Sequence, residues 1–79
     1  MYKVIMPEIS DGDDDITLVG WLVSESDIVK EGDDMAELVT DKASFDLPSP
    51  KSGKVVTLVK KPGDKVMAGD IMAEMILGE

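Results

Sequence analysis

The chain reads as an all-β domain: a flattened antiparallel β-barrel or sandwich of two four-stranded sheets, related by an internal pseudo-two-fold axis. Three observations lead there. β-rich segments are separated by turn signals every few residues. No stretch sustains a helical period. The second half of the chain repeats the first.

In order, residues 2–6 form a first strand, stopped by Pro7, which cannot donate to a ladder. Glu8 to Asp15 is an acidic loop with five carboxylates: Glu8, Asp11, Asp13, Asp14 and Asp15. It lacks the alternating ligands, distal Glu and flanking helices of an EF-hand, so it reads as a solvated recognition surface and not a metal site. Residues 16–23 are a long strand, with Trp21, the only tryptophan, packing in or across the core. After a turn at 24–27 come a very short strand at 28–29 and a turn at 30–33. Residues 35–40 and 43–47 flank a tight reversal at Asp41-Lys42, with Ala36, Leu38 and Thr40 alternating on one arm and Phe45 and Leu47 on the other. Pro48-Ser49-Pro50 ends that arm. A turn at 51–53, a strand at 54–60, a turn at 61–64, a short strand at Val66, a turn at 68–70 and a last strand at 71–77 complete the chain.

Seventy-nine residues make a single small domain, and 43% hydrophobic content suffices for a folded core. There is no cysteine and no histidine, which removes thiol nucleophiles, disulfides, the usual general base and the commonest metal ligand. Seventeen acidic residues against eight lysines give a net charge of −9, a poor match for phosphate backbones, so nucleic acid is not an expected partner. No apolar run approaches a membrane span and the first residues do not resemble a signal peptide, so no membrane association is expected.

The repeat is specific. An offset of 37 places Val19 on Val56, Asp27 on Asp64, Val29 on Val66, Gly32-Asp33 on Gly69-Asp70 and Met35-Ala36-Glu37 on Met72-Ala73-Glu74. An offset of 41 places Val4, Met6 and Pro7 on Phe45, Leu47 and Pro48, leaving the acidic loop four residues longer than its counterpart. The dyad maps the Asp41-Lys42 reversal onto the paired chain ends, so Lys42 is expected at the pole opposite both termini. Asp41 favours a turn through its short side chain. Lysine has no such preference, and at a tip its ammonium stands in water, open to another protein. Many exposed hairpin lysines only keep a surface soluble.

Met6-Pro7-Glu8-Ile9, Trp21-Leu22-Val23 with Asp27, Val29 and Gly32-Asp33, and Glu37-Leu38-Val39-Thr40-Asp41-Lys42-Ala43 followed by Asp46-Leu47-Pro48-Ser49-Pro50 resemble the lipoyl domains of the dihydrolipoamide acyltransferase component of 2-oxo acid dehydrogenase complexes. The similarity runs through the whole chain. Ser26-Asp27 departs from the family's Gly-Asp, which Gly63-Asp64 keeps, and a slightly different turn is expected at Ser26. The resemblance implies that residues 1–79 are one lipoyl domain, excised from a longer acyltransferase or free-standing, monomeric and not itself catalytic. It implies lipoic acid in amide linkage on Lys42, with Asp41 and Ala43 as flanking recognition residues and the loop bearing Glu8, Asp11, Asp13, Asp14 and Asp15 in partner selection. The implied partners are a lipoate-attaching enzyme, a thiamine-dependent 2-oxo acid dehydrogenase that reductively acylates the arm, an acyltransferase core that passes the acyl group to coenzyme A, and dihydrolipoamide dehydrogenase, which reoxidises it. A bacterial cytoplasm or a mitochondrial matrix is the implied setting.

Two rivals stand beside this reading. A biotinyl carrier shares the fold and the hairpin lysine but usually flanks it with methionine, where this chain has Asp41 and Ala43. An unmodified β interaction module is compatible with the fold alone, since folds host many functions.

Overall fold

Alternating apolar positions and frequent Gly-Asp turns give eight strands among the described residues: β1 (Tyr2–Ile5), β2 (Ile16–Trp21), β3 (Ile28–Val29), β4 (Asp34–Val39), β5 (Ser44–Pro48), β6 (Gly53–Leu58), β7 (Lys65–Val66) and β8 (Ile71–Leu77). The computed structural model describes residues 1–8 and 15–78. The strands form two antiparallel four-stranded sheets, ordered β1-β8-β6-β3 and β5-β4-β2-β7. Advancing every strand by four places, with β8 becoming β4, turns the first order into the second. The expected dyad is therefore the organising symmetry of the fold.

The halves are interlocked rather than stacked. β3, from the first half, pairs with β6, and β7, from the second half, pairs with β2. Neither half keeps a complete sheet of its own, as expected of two units that cannot bury a face alone. Even the irregularities repeat. The β2–β4 ladder shifts register between Leu18 and Gly20, and the β6–β8 ladder does so between Val55 and Thr57.

The offset of 37 holds from β2 onward, but the offset of 41 for the first strand does not. Val4 pairs with Ala73 and Leu47 with Ala36, so Val4 corresponds to Leu47 and Tyr2 to Phe45, an offset of 43. Backbone bonds extend the match: Met6 exchanges them with Asp70 and Gly69, as Ser49 does with Asp33 and Gly32. Pro7 thus corresponds to Pro50, and the link from β1 to β2 is six residues longer than its mate, not four. A two-residue slip keeps every side chain on its face, so alternation could not detect it.

Four turns hold the strands in place, each built the same way. At Ser24–Asp27, Lys30–Asp33, Lys61–Asp64 and Met67–Asp70, the aspartate N–H donates to the carbonyl three residues back at 2.9–3.1 Å. Its carboxylate accepts that residue's N–H at 2.8–3.0 Å. The third residue has positive φ: Gly32 (95°), Gly63 (91°), Gly69 (94°) and, without glycine's freedom, Ser26 (79°). Ser26 therefore adopts the same turn as Gly63 and not a different one. At the last turn the Met67 N–H holds the Asp70 carboxyl below its ordinary range; partial desolvation opposes this, and Lys60, 3.4 Å away, adds to it.

The core lies between the sheets and is itself nearly symmetric. Buried mates include Leu18 and Val55, Val29 and Val66, Met35 and Met72, and Leu38 and Met75. Trp21 is half-buried against this core and donates its indole N–H to the Lys60 carbonyl at 2.8 Å.

Candidate functional site

β4 and β5 form a hairpin whose base is anchored in the core. Across it Ala36 faces Leu47, Leu38 faces Phe45 and Val39 faces Ser44. Leu38 is fully buried, Leu47 is buried and Phe45 packs against the same cluster. Burial of these side chains fixes the register, and with it the residues left to cross between the strands: Thr40, Asp41, Lys42 and Ala43.

One hydroxyl organises that crossing. Thr40 N–H donates to the Ala43 carbonyl at 2.8 Å. Thr40 Oγ1 accepts the N–H groups of Lys42 and Ala43, each at 3.2 Å, and donates to the Ala43 carbonyl, also at 3.2 Å. Among the described residues Ser26 is the only non-glycine with positive φ, so neither Asp41 nor Lys42 adopts the left-handed backbone of primed hairpin turns. That explains a tight crossing without glycine. Turn chemistry assigned to Asp41 is supplied by its neighbour, and Thr40 is the site residue that composition and alternation missed. A threonine opening a short polar crossing is the signal that would have found it.

Asp41, Lys42, Ala43 and Ser44 are all exposed. From Ser44, β5 runs about 17 Å at 3.3 Å per residue to Ser49, which bonds the 30–33 turn. Beside that far end Ser52 bonds Gly78 and Gly53 pairs with Leu77. Lys42 and the chain ends therefore occupy opposite poles of a body 37 Å long. A concavity of about 460 Å³, lined by Ile28, Val29, Gly53, Lys54, Ile76 and Leu77 among others, belongs to the pole of the chain ends. Lys42 sits exposed on a projection at the other pole.

The acidic stretch meets this pole through its described ends. Thr17 pairs with Val39 at the hairpin base, so Asp15 enters beside it. Asp15 and Lys65 approach to 3.5 Å, both largely exposed, a contact that contributes little. Glu8 is exposed and lies two residues past Met6, which bonds the 67–70 turn leading out of β7. Asp11, Asp13 and Asp14 lie outside the described residues. Among the described residues no three acidic or other metal-binding side chains gather at one point.

A family model described as "Biotin-requiring enzyme", the biotin/lipoyl family, matches residues 2–75. The chain belongs to the biotinyl/lipoyl attachment-domain family. It is a carrier domain of the kind found in lipoamide acyltransferases, not a catalytic unit. It is 42% identical over 68 residues to the lipoamide acyltransferase component of the branched-chain alpha-keto acid dehydrogenase complex of Pseudomonas putida, covering 86% of this chain and 16% of that protein. It is 33% identical over 75 residues to the acetyltransferase component of the pyruvate dehydrogenase complex of Mycoplasma capricolum, covering 95% and 17%. It is 31% identical over 78 residues to the succinyltransferase component of the 2-oxoglutarate dehydrogenase complex of Bacillus subtilis, covering 99% and 19%. The carrier domain thus spans less than a fifth of each of these relatives. Its fold superposes on the solution structure of the lipoyl domain of the 2-oxoglutarate dehydrogenase complex from Azotobacter vinelandii, with a TM-score of 0.76 over the whole of both chains at 22% identity.

Proposed function

We propose that Lys42 is the attachment residue of this carrier domain, that it holds a lipoyl group in amide linkage, and that the domain serves a 2-oxo acid dehydrogenase complex. The observation that carries this is the exposed lysine on a hydroxyl-braced tip, at the pole away from the chain ends. The residues fit such a group. An amine that must be acylated by another protein has to be reachable, and Asp41, Ala43 and Ser44 around it are all exposed. Converting the ammonium to an amide removes one positive charge. When bound, the lipoyl group supplies a disulfide able to accept electrons and an acyl group, chemistry that no side chain here offers.

The protein's own contribution is display. The buried Leu38 and Leu47 stiffen the hairpin behind the lysine. Asp41 and Ala43 present the flanks that a lipoate-attaching enzyme reads. The acidic stretch of the sequence, with Glu8, Asp11, Asp13, Asp14 and Asp15, serves in choosing partners. Those partners are a thiamine-dependent 2-oxo acid dehydrogenase, an acyltransferase core and dihydrolipoamide dehydrogenase, in a cytoplasm or mitochondrial matrix. Tethering the domain by the opposite pole keeps the arm facing outward and raises its effective concentration at each of them.

Biotin on the same lysine is the second reading, favoured by the description of the matching family. Asp41 and Ala43, and relatives described as lipoamide acyltransferases, weigh against it. Coexpression with a lipoate ligase or with a biotin ligase, followed by intact mass, separates the two. A lipoyl increment absent from Lys42→Ala is expected. A biotin increment alone would favour the second reading, and a lipoyl increment that persists in Lys42→Ala would remove Lys42 from the role.

A further inference from the structure

We propose that Thr40 is a positioning residue for the modification of Lys42, holding the tip in the one shape that the attaching enzyme accepts. The inference rests on the attachment reading above and adds to it a determinant outside the Asp-Lys-Ala triplet. A threonine hydroxyl offers one donor and two acceptor lone pairs. At Thr40 all three are engaged within the crossing: two accept the Lys42 and Ala43 N–H groups, and the donor meets the Ala43 carbonyl. The brace touches backbone only and leaves the lysine amine untouched.

The internal repeat shows that the sheets themselves do not call for a hydroxyl at this strand position; it serves the crossing alone. The dyad mate of Thr40 is Leu77, an ordinary strand residue paired with Gly53. The groups that Thr40 satisfies belong to exposed residues, so water replaces the hydroxyl when it is lost and global stability changes little. What changes is the number of shapes the tip visits. An enzyme that binds only one of them meets a smaller competent fraction, and apparent affinity falls by that fraction. The loss therefore belongs in KM for attachment. The chemical step, and so kcat, stays close to wild type.

The test compares wild type, Thr40→Val and Thr40→Ser as substrates of a purified lipoate ligase, with rates followed by intact mass. Valine keeps the branched shape without the hydroxyl, and serine keeps the hydroxyl. The expected result for Thr40→Val is a KM raised roughly five- to tenfold by the loss of three weak hydrogen bonds, with kcat within about twofold. Thr40→Ser should restore most of the loss. Amide exchange at Lys42 and Ala43 should quicken in Thr40→Val and not in Thr40→Ser, while the thermal midpoints of all three stay close. Wild-type KM in Thr40→Val, a fall in kcat instead of a rise in KM, or equal loss in both variants overturns the role of Thr40 and leaves the attachment reading standing. No loading of wild type defeats the attachment reading itself, which tells the two failures apart.

Discussion

Replacing Ser26 by glycine should stabilise the domain. Ser26 holds φ 79°, a conformation its three structural mates reach as Gly32, Gly63 and Gly69. A non-glycine residue there costs about 1–2 kcal/mol, whereas glycine adds roughly 0.5–1 kcal/mol of unfolded-chain entropy. The net gain is about 0.5–1 kcal/mol, or a rise in Tm of about 2–8 °C for a domain this size. The Ser26 N–H bond to the Val55 carbonyl at 2.7 Å is kept, because it involves backbone alone. The repeat provides the reverse experiment. A Cβ at Gly63 would meet no atom within 4 Å, so Gly63→Ser tests backbone strain without a clash and should lose a similar amount. Thermal and urea unfolding of both variants give the comparison. A neutral or destabilising Ser26→Gly together with a harmless Gly63→Ser would refute the strain argument.

Leu38→Ala, which empties the core beneath the hairpin, should cost about 2–5 kcal/mol in urea unfolding. Gly53→Ala should destabilise by about 1–3 kcal/mol, since its Cβ would run into the Ile76 carbonyl and come within 2.9 Å of the Leu77 Cα; Gly20→Ala, with open space at the Cβ, is the clash-free control. Asp70 has its folded pKa depressed below the ordinary 3.8, so its contribution to stability is present above that value and is lost as pH falls through the lower folded value. The stability gap between wild type and Asp70→Asn should therefore be constant near neutrality and narrow only below pH 3.8, read from urea midpoints along a pH series. Lys42→Ala should leave stability within about 0.5 kcal/mol of wild type, the usual range for substitutions at exposed positions.

Much of the architecture could be read directly from residue patterns. The Gly-Asp turns and the recurrence of Met35-Ala36-Glu37 as Met72-Ala73-Glu74 disclosed the dyad, and the dyad placed Lys42 away from the chain ends. The register of the first strand was misread because Pro7 can be matched to Pro48 or to Pro50 without turning any side chain over. The strand pairings of Val4 and Leu47, with the long-range bonds of Met6 and Ser49, distinguish the two. The exchange of β3 and β7 between sheets was also not legible, since a two-residue strand carries too little pattern to name its partner. At the site, the lysine and its flanks were evident, but the brace was not. Thr40 reads as one more alternating residue until the crossing is folded and its hydroxyl comes within reach of two N–H groups.

The most direct test of the central claim is a residue-level map of the lipoyl group after treatment with lipoate ligase. Eight lysines compete for it in one small acidic domain. The display account expects modification of Lys42 alone, and none in the double variant D41K/K42A, where the amine is moved one residue along the same tip. Loading spread over Lys30, Lys54 or Lys65, or efficient loading of the displaced lysine, would contradict it.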